Sequence, residues 1–356
     1  MLPLLSESER LAQVGEPLLA WYDRAARKLP WREQPTPYRV WISEMMLQQT
    51  RVETALPYFT RFVAELPDAA ALAAADDERL LKLWEGLGYY SRVRSLKKAA
   101  CLVTAQYGGE LPASFDALRK LPGLGDYAAG AVASIAFGLR VPAVDGNVLR
   151  VISRLLASEE DVTRAPVKRR LTALTREMLP QTRVGDFNQA LMELGAVLCL
   201  PNGAPLCERC PVCALCEGFR LGCASALPKK SEKKPRTVQQ MTVLCLTDET
   251  SIVLRRRPDA GLLAGMWELP WAEAWLDEAS VAALVRSWGL TVCAIEPLEA
   301  AKHIFTHIEW RMRGWRIYCE NGAALPPGWL WADAASLAQQ VALPSAFAPL
   351  LRQIPL

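Results

Sequence analysis

Six of the ten cysteines lie between Cys199 and Cys223, and the other four are scattered along the chain. Disulfide frameworks are typical of small secreted domains, so in a chain of 356 residues this cluster indicates a bound metal. The opening MLPLLSESER lacks the basic and apolar regions of a secretory leader, and the longest apolar run, Ala128 to Leu139, is too short to cross a bilayer. We therefore expect a soluble, cytoplasmic protein with no membrane partner.

The cysteine cluster separates two sequence patterns. From Ser8 to about Leu198, apolar residues recur at three- and four-residue spacing, which predicts helices. After the charged, proline-bracketed segment PKKSEKKPR, the alternation typical of strands begins. We predict a mainly α domain over residues 1–226 that carries the cysteine loop 199–216, a linker over 227–237, and an α+β domain over 238–356.

Four segments of the second domain have strand character, and one segment has helical character. The predicted strands are VQQMTVLCLTD, SIVLRRR, HIEWRMRGWRIYC and WLWADA. The predicted helix runs from Ala279 to Trp288.

The segment Leu121 to Gly138 reads LPGLGDYAAGAVASIAFG and predicts a helix, a tight turn and a second helix. Gly123 and Gly125 allow a sharp turn and a close approach of the backbone to a ligand. The free amides at the start of the second helix suit a phosphate oxygen. An ordinary corner between two helices is the alternative. With 41 basic and 38 acidic side chains, attraction to nucleic acid requires a local basic face.

Several segments resemble the helix-hairpin-helix DNA glycosylases related to endonuclease III. They are WISEMMLQQTRV, GLGYYSRVRSL, the hairpin above and VDGNVLRV. With the C-terminal segment GLLAGMWELP, the chain is identified as a member of the MutY family. The resemblance implies a monomeric, monofunctional base-excision-repair glycosylase. Such an enzyme flips out and hydrolyses away an adenine that faces 8-oxoguanine or guanine in double-stranded DNA, and it associates with the nucleoid when on DNA.

Two carboxylates fit this chemistry, because a departing adenine needs a proton and the sugar becomes cation-like. Glu44 sits among apolar residues, a setting that raises a carboxyl pKa; the alternative is a glutamate on the wet face of a helix. Asp145 precedes Gly146 and Asn147, where an N-cap is the alternative, and the two roles can coexist. The resemblance implies that Glu44 protonates the adenine, that Asp145 stabilises the sugar cation, and that Asn147 belongs to the catalytic set.

Tyr127 distinguishes two relatives. In bifunctional lyases the corresponding residue is a lysine that attacks the sugar, and tyrosine cannot form a Schiff base. The family suggests that Tyr127 stabilises the transition state; the alternative is a tyrosine packed near the DNA. An endonuclease III-like lyase and a non-catalytic DNA-binding scaffold are the competing functions.

The resemblance also assigns residues that handle DNA. Base flipping costs on the order of a few kcal/mol, and stacking on an aromatic ring returns roughly 1–3 kcal/mol. The inserted side chains are implied to be Gln49 and Tyr89, with Gln48 beside them in the DNA-contacting set. The adenine pocket is implied to be lined by Leu29, Trp31 and Arg32.

The resemblance implies that Cys199, Cys207, Cys210 and Cys216 hold one [4Fe–4S] cluster, which is consistent with four soft thiolates on a short loop. The intervening gaps are seven, two and five residues. Cys213 lies inside the last gap and forms an evenly spaced run with its neighbours, so it competes for the fourth position. A zinc site, which usually shows two close pairs, is the alternative metal centre.

The C-terminal domain resembles the Nudix-like domain of MutY proteins. The segment SVAALVRSWGL lacks the glutamates that hold magnesium in a working Nudix hydrolase, so we expect binding without hydrolysis. In the family, a loop of this domain recognises 8-oxoguanine, and here it reads Phe305, Thr306, His307. On their own, His303 and His307 would be ordinary strand residues.

Overall fold

The computed structural model describes residues 6–232, 235–320 and 323–355. Its contacts divide the chain into two compact units. The first combines Met1–Ala74 with Arg94–Glu232, and the second combines Ala75–Val93 with Lys233–Leu356. The second division point falls inside the predicted linker, whereas the grouping of Ala75–Val93 has no counterpart in the sequence pattern. The domain limits drawn at 226 and 238 stay predictions.

The chain before the cysteine loop is helical, as predicted. Its helices are α1 Glu7–Ala12, α2 Gly15–Ala25, α3 Pro30–Glu33, α4 Pro37–Leu47, α5 Val52–Glu65, α6 Ala69–Ala74, α7 Asp77–Leu83, α8 Ser91–Tyr107, α9 Phe115–Arg119, α10 Asp126–Phe137, α11 Gly146–Leu155, α12 Ala165–Met178 and α13 Val184–Val197. A short helix, α14 Glu217–Arg220, follows the cysteines. Helix α7 belongs to the second unit, and α8 begins there. Among the described residues, no helix combines the length and apolar character that a bilayer crossing requires.

Helix α13 is central to the first unit. It packs against α2, α10 and α11, and its residues Phe187, Ala190, Leu191 and Leu194 are almost completely buried. A helix that is apolar on several sides is buried among its neighbours. Because each neighbour packs on it, the helix fixes their positions. The polar residues of α13 are thereby held inside the unit.

The second unit contains a mixed sheet of seven strands. These are β1 Thr237–Thr247, β2 Ser251–Arg256, β3 Trp267–Glu268, β4 Trp271–Glu273, β5 Val292–Ile304, β6 Ile308–Cys319 and β7 Trp329–Asp333. The main order is β3-β2-β1-β6-β5, with β4 also pairing with β1 and β7 with β2. Strands β1 and β6 are parallel and start together at the pair Thr237↔Ile308. The other pairings are antiparallel.

Each face of this sheet has its own core. One face packs on helix α15, Glu278–Ser287, through Val281 and Val285. The opposite face packs on the C-terminal segment, which includes α16 Ala334–Gln339 and α17 Ala348–Leu351, through Phe347 and Leu350. A mainly antiparallel sheet with helices packed against it is the α+β architecture that the sequence predicted.

The four predicted strands and the predicted helix are confirmed to within about one residue, as β1, β2, β6, β7 and α15. The long strand β5 was missed. It contains Pro297, lies at the edge of the main path, and its pairing with β6 shifts between Leu298 and Ala301. Most of its side chains are exposed or half-buried, so no alternation of apolar residues marks it in the sequence.

Candidate active site

Glu44 lies on an enclosed helix. Thr36 caps α4 by accepting a hydrogen bond from the Arg39 amide, and the residues from Val40 to Met46 are all buried. Glu44 itself is 5% exposed. The alternative of a glutamate on a wet helix face is therefore wrong.

Tyr127 reaches Glu44 from the first turn of α10, which packs against α4. Its hydroxyl donates a hydrogen bond to Oε2 of Glu44. The same hydroxyl lies 3.3 Å from the Met192 sulfur on α13. Burial, together with the charges of Glu44 and Asp145, raises the pKa of Tyr127 well above its ordinary value. Tyr127 is therefore a neutral donor to the glutamate.

The environment of Glu44 favours its protonated form. Burial raises its pKa from 4.5 to about 7, and the negative charge of Asp145 acts in the same direction. The hydrogen bond from Tyr127 and the charge of Arg32 oppose the rise without cancelling it. At neutral pH a large fraction of Glu44 therefore carries a proton, as a general acid requires.

Asp145 is the N-cap of α11, and both of its oxygens are held. Oδ1 accepts the Val148 amide at 2.8 Å, and Oδ2 accepts the side-chain amide of Asn147 at 2.7 Å. Burial raises its pKa, while these hydrogen bonds oppose the rise. Its charge acts on both Glu44 and Tyr127, so the N-cap also belongs to the site. The N-cap is confirmed, and stabilisation of a sugar cation by Asp145 stays a prediction.

Asn147 is fixed from behind. Its Oδ1 accepts a hydrogen bond from Nη2 of the buried Arg150 at 2.9 Å. The same guanidinium donates to the carbonyl oxygens of Gly195 and Cys199, both at 2.8 Å. A Cβ at Gly195 would stand 2.6 Å from the Asn147 Cβ, so only glycine allows this approach. Arg150 therefore connects the carboxylate of Asp145, through Asn147, to the backbone of the cysteine loop.

The residues expected to line the adenine pocket are enclosed. Leu29 and Trp31 are both buried, and the Trp31 ring packs edge-on against Phe59 with centroids 5.0 Å apart. Arg32 stacks over Tyr22 at 5.5 Å. The structure describes their packing inside the protein, and contact with a base stays a prediction.

Arg32 belongs to a buried ion network. Its Nη2 lies 2.8 Å from Oε2 of Glu193, and Arg27 binds both oxygens of the same carboxylate at 2.7 and 2.9 Å. Burial by itself raises the pKa of Glu193, but the two arginines outweigh it and hold the pKa below its ordinary value. Glu193 is therefore ionised, and it keeps Arg32 within electrostatic range of Glu44.

The hairpin has the predicted form, with a turn between α9 and α10. Gly123 has a φ of +82°, and a Cβ there would stand 2.8 Å from the Ser95 Cβ and 2.9 Å from the Met45 Cε. Gly125 is the N-cap of α10 and makes no side-chain cap, and a Cβ there would meet no atom within 4 Å. The space beside Gly125 is therefore open, and phosphate binding by the amides at the start of α10 stays a prediction.

Gln48 and Gln49 end helix α4 in the same unit. Gln48 is its C-cap, and its side-chain amide lies 3.4 Å from the Met45 sulfur. Gln49 is exposed and has a φ of +58°, a left-handed conformation uncommon for a residue other than glycine. Such a conformation projects the side chain from a tight turn, which is consistent with the predicted insertion into DNA.

Tyr89 and the predicted lesion loop belong to the second unit. Phe305, Thr306 and His307 form the turn between β5 and β6. The Phe305 ring packs against His303 and Trp310, whereas Thr306 and His307 are exposed. The Tyr89 hydroxyl lies 3.2 Å from Oγ1 of Thr306. The structure therefore brings Tyr89, which was expected to insert into DNA, next to the turn that was expected to recognise 8-oxoguanine.

The cysteine loop surrounds a small cavity of about 30 Å³. Its lining includes Arg154 and five thiols, those of Cys199, Cys207, Cys210, Cys213 and Cys216. Nη1 of Arg154 donates to the Cys199 sulfur at 3.2 Å, while its buried Nη2 has no hydrogen-bond partner in the described chain. Within residues 6–232, 235–320 and 323–355, no group of three or more His, Cys, Asp or Glu side chains is placed to hold a single metal ion.

Comparisons with known proteins agree with both parts of the chain. The family described as "HhH-GPD superfamily base excision DNA repair protein" matches residues 42–177, and the family described as "NUDIX domain" matches residues 241–353. The chain is 36% identical over 395 residues to the adenine DNA glycosylase of Mus musculus, covering 93% of this chain and 76% of that protein. The chain belongs to the adenine DNA glycosylase family. It is accordingly a DNA glycosylase.

Further relatives support this assignment. The adenine DNA glycosylase of Homo sapiens is 34% identical over 380 residues, which cover 88% of this glycosylase and 69% of the human protein. A solved thermostable thymine-DNA glycosylase superposes with a TM-score of 0.55 at 27% identity, covering 60% of this chain and 97% of that one. A trapped endonuclease III–DNA covalent intermediate gives a TM-score of 0.52 at 22% identity, covering 62% and 99%, and shows a shared fold alone.

Sequence reasoning missed several residues of the glycosylase site. Met192 contacts Tyr127, Glu193 pairs with Arg32, and Arg150 holds Asn147. The one available signal was that Glu193 stands in the apolar run ALMELGAVL, where a glutamate needs a partner. Nothing near Met192 or Arg150 in the sequence reveals which distant residue each one contacts.

The raised pKa of Glu44 predicts a pH-dependent effect of Glu44→Gln on stability. The folded pKa of about 7 lies above the ordinary 4.5, so the stability that Glu44 contributes is complete below about pH 4.5 and is lost as pH rises through 7. Glutamine does not titrate. From pH 5 to pH 8 the variant should gain roughly 2–3 kcal/mol relative to the wild type, at 1.36 kcal/mol per pKa unit.

Thermal unfolding midpoints of both proteins at the two pH values measure this effect. The exposed Glu16→Gln variant controls for loss of a surface carboxylate. An unchanged difference between Glu44→Gln and the wild type at pH 5 and pH 8 would mean that Glu44 is ionised throughout this range.

The two hairpin glycines should respond differently to alanine. Gly123→Ala forces a Cβ onto a positive φ and against Ser95, so we expect a loss of about 1–3 kcal/mol in stability. Gly125→Ala should fold normally because its Cβ meets open space, but the methyl group would hinder a phosphate at the α10 amides. Thermal unfolding and fluorescence anisotropy with a labelled duplex measure the two effects. Normal DNA affinity of Gly125→Ala would place the phosphate elsewhere.

Proposed function

We propose that this glycosylase removes adenine where it faces 8-oxoguanine, or guanine, in double-stranded DNA. The observation that carries the proposal is the buried Glu44 carboxyl, with a pKa of about 7, hydrogen-bonded by Tyr127 and facing the charge of Asp145. The relatives named adenine DNA glycosylase are similar in sequence to this chain over most of its length. The proposed reaction is hydrolysis of the N-glycosidic bond of a flipped adenine.

Glu44 is the proposed general acid. Adenine leaves poorly as an anion, so transfer of a proton to a ring nitrogen as the C1′–N9 bond breaks lowers the barrier. Tyr127 occupies Oε2 of the carboxyl group. The other oxygen remains able to carry the proton to the base, and a pKa near the working pH suits both gaining and losing it.

Asp145 is the proposed partner of the sugar cation. Its two oxygens keep a fixed orientation because Val148 and Asn147 donate to them, and these hydrogen bonds favour the ionised form. The charge of Asp145 raises the pKa of Glu44. In the proposed mechanism Glu44 keeps its proton, while the hydrogen bonds to Asp145 oppose the effect of burial on its pKa and favour its charged form. Water then adds to C1′, and the products are free adenine and an abasic site.

Tyr127 supports a monofunctional enzyme. A lyase needs an amine to attack the sugar and form a Schiff base, and a phenol cannot do so. With its pKa well above the ordinary value, Tyr127 stays neutral and keeps donating to Glu44. We therefore expect an intact abasic strand as the product. The fold shared with endonuclease III makes a lyase the second candidate.

The proposed handling of DNA divides between the units. In the first unit, the α10 amides beside Gly125 bind a phosphate. Gln49, with its neighbour Gln48, fills the space that the flipped adenine leaves. The adenine itself is surrounded by Leu29, Trp31 and Arg32. In the second unit, Tyr89 stacks on the lesion strand, a contact of a kind worth roughly 1–3 kcal/mol. The enzyme acts as a monomer.

The turn Phe305–Thr306–His307 is the proposed reader of 8-oxoguanine. Its two exposed side chains offer a hydroxyl and an imidazole, and the packed Phe305 ring holds the turn in place. Helix α15, Glu278–Ser287, carries one acidic residue, Glu278, so the chain lacks the run of glutamates that holds magnesium in Nudix hydrolases. We infer that the Nudix-like unit binds the damaged base without hydrolysing a nucleotide.

A [4Fe–4S] cluster is the proposed cofactor, held by Cys199, Cys207, Cys210 and Cys216. The pocket of five thiols contains Arg154, whose buried Nη2 has no partner among the described residues, and this spare donor fits an anionic thiolate cluster. When bound, the cluster would cross-link the loop and fix its shape. The hydrogen bonds of Arg150 to the Cys199 and Gly195 carbonyls would then hold Asn147 and Asp145 in place.

A strand-cleavage assay tests the proposed function. The purified protein is incubated with a labelled duplex that holds adenine opposite 8-oxoguanine or opposite guanine. We expect adenine release with no nick until alkali is added, faster excision opposite 8-oxoguanine, and a loss of about 10²-fold or more in Glu44→Gln, because the acid is absent. The variant should still bind the duplex.

The alternatives give different results in the same assay. Nicking before alkali would identify a lyase. Tight binding with no adenine loss by the wild type would identify a scaffold. Near-normal turnover of Glu44→Gln would remove Glu44 as the acid.

The choice of cluster ligands predicts different spectra for two cysteine variants. Cys213→Ser should keep the broad absorption at about 400 nm and the iron content of the wild type. Cys210→Ser should lose most of the absorption and most of the iron. Cys223→Ser is the control, since Cys223 does not belong to the pocket lining. The reverse behaviour of Cys213 and Cys210 would make Cys213 a ligand.

A further inference from the structure

The segment Ala75–Val93 carries Tyr89 and lies inside the stretch 42–177 that matches the helix-hairpin-helix family. Its contacts nevertheless group it with Lys233–Leu356. The side chain expected to stack on DNA is therefore built into the unit that carries the turn Phe305–His307. Contacts at two points hold it there.

The first point is a partly buried charged pair near the end of α7. Nζ of Lys82 donates to Oε2 of Glu85 and to the Leu337 carbonyl, both at 2.6 Å, and to the Val341 carbonyl at 3.1 Å. Oε1 of Glu85 accepts the Leu343 amide at 2.7 Å. The side chains of Lys82 and Glu85 are 18% and 29% exposed. Charge-assisted hydrogen bonds shielded from water are strong, so α7 is firmly attached at this point.

The second point is the contact of Tyr89 with Thr306, 3.2 Å between their hydroxyl oxygens. Tyr89 is 44% exposed, so one side of its ring is available for stacking. Its φ of +48° is uncommon for a tyrosine and persists only where the surroundings determine it.

The stretch between the two points is held by several internal contacts. The Trp84 indole nitrogen donates to the Gly88 carbonyl at 3.1 Å, and the Arg92 guanidinium donates to the Leu87 and Gly88 carbonyls, both at 3.0 Å. The same guanidinium stacks on Trp84 at 5.3 Å and on Tyr89 at 5.5 Å. A displacement at Lys82 is therefore transmitted to the Tyr89 ring.

We propose that Lys82 and Glu85 are positioning residues that hold Tyr89 at the Phe305–His307 turn, so that ring and turn meet the damaged base together. This proposal rests on the proposed recognition of 8-oxoguanine, and it explains what holds the recognising side chains in position. Both residues would act through the position of Tyr89. Misplacement of a recognition group by about 1 Å can cost on the order of 10²-fold in rate, so loosening this attachment should be visible in lesion preference.

The test compares Lys82→Met with Lys82→Arg in the full-length protein. The rate constant for adenine excision is measured under single-turnover conditions, at enzyme concentrations below saturation, opposite 8-oxoguanine and opposite guanine. We expect Lys82→Met to slow excision opposite 8-oxoguanine about tenfold and to leave excision opposite guanine within about twofold. Lys82→Arg keeps donors for both carbonyls and should restore most of the preference.

A matched control comes from the same helix. Glu78 pairs with Arg256 at 3.3 Å, and both side chains are largely exposed. An exposed pair contributes little, so Glu78→Gln should keep the wild-type preference.

A double-mutant cycle separates positioning from general loss of structure. Tyr89→Leu should reduce the preference, and Lys82→Met should add little in that background, because its effect acts through Tyr89. Additive losses would overturn the proposal. So would an unchanged preference in a folded Lys82→Met, or equal slowing opposite both bases.

Two further results keep the outcome unambiguous. If Lys82→Met does not fold, the pair Lys82→Met/Glu85→Gln replaces it, since glutamine leaves no unpaired charge and still accepts the Leu343 amide. If the wild-type protein excises adenine equally fast opposite 8-oxoguanine and opposite guanine, the proposed recognition of 8-oxoguanine is itself wrong. Failure of the positioning proposal alone leaves that wild-type preference intact.

Discussion

The proposed chemistry of this glycosylase depends on the burial of one carboxyl group, that of Glu44. Removing Glu44 from water raises its pKa to about 7, and the nearby charge of Asp145 acts in the same direction. The Tyr127 hydroxyl donates a hydrogen bond to one oxygen of Glu44, which limits the cost of burying the carboxyl group. The other oxygen can still hold a proton. This arrangement costs stability at neutral and alkaline pH, which is the usual relation between a tuned active site and the fold that carries it.

Helix α13 holds most of the second layer of contacts around that carboxyl group. Met192 touches the Tyr127 hydroxyl, Glu193 binds Arg27 and Arg32, and Gly195 leaves room for Asn147. Loss of Glu193 would leave Arg32 without its carboxylate partner, so the network keeps Arg32 in place. The site is thus supported by a helix none of whose residues was singled out from the sequence.

The sequence predicted both fold classes and most elements, because helices and paired strands leave local periodic patterns. Strand β5 escaped because Pro297 and a register shift interrupt it at an edge of the sheet. The apolar neighbours of Glu44 predicted its burial correctly. The grouping of Ala75–Val93 with the C-terminal unit was not predictable, since the hydrogen bonds of Lys82 and Glu85 reach residues more than two hundred positions away.

The sequence alone determined the features that depend on neighbouring residues: the turn at Gly123, the capping position of Asp145, the spacing of the cysteines and the identity of Tyr127 as a side chain without an amine. Only the tertiary structure decided the hydrogen bond of Tyr127 to Glu44, the pairing of Glu193 and the contact of Tyr89 with Thr306. The reason is physical: solvent exclusion and Coulomb interactions depend on distance in space, and packing sets that distance between residues far apart in the chain.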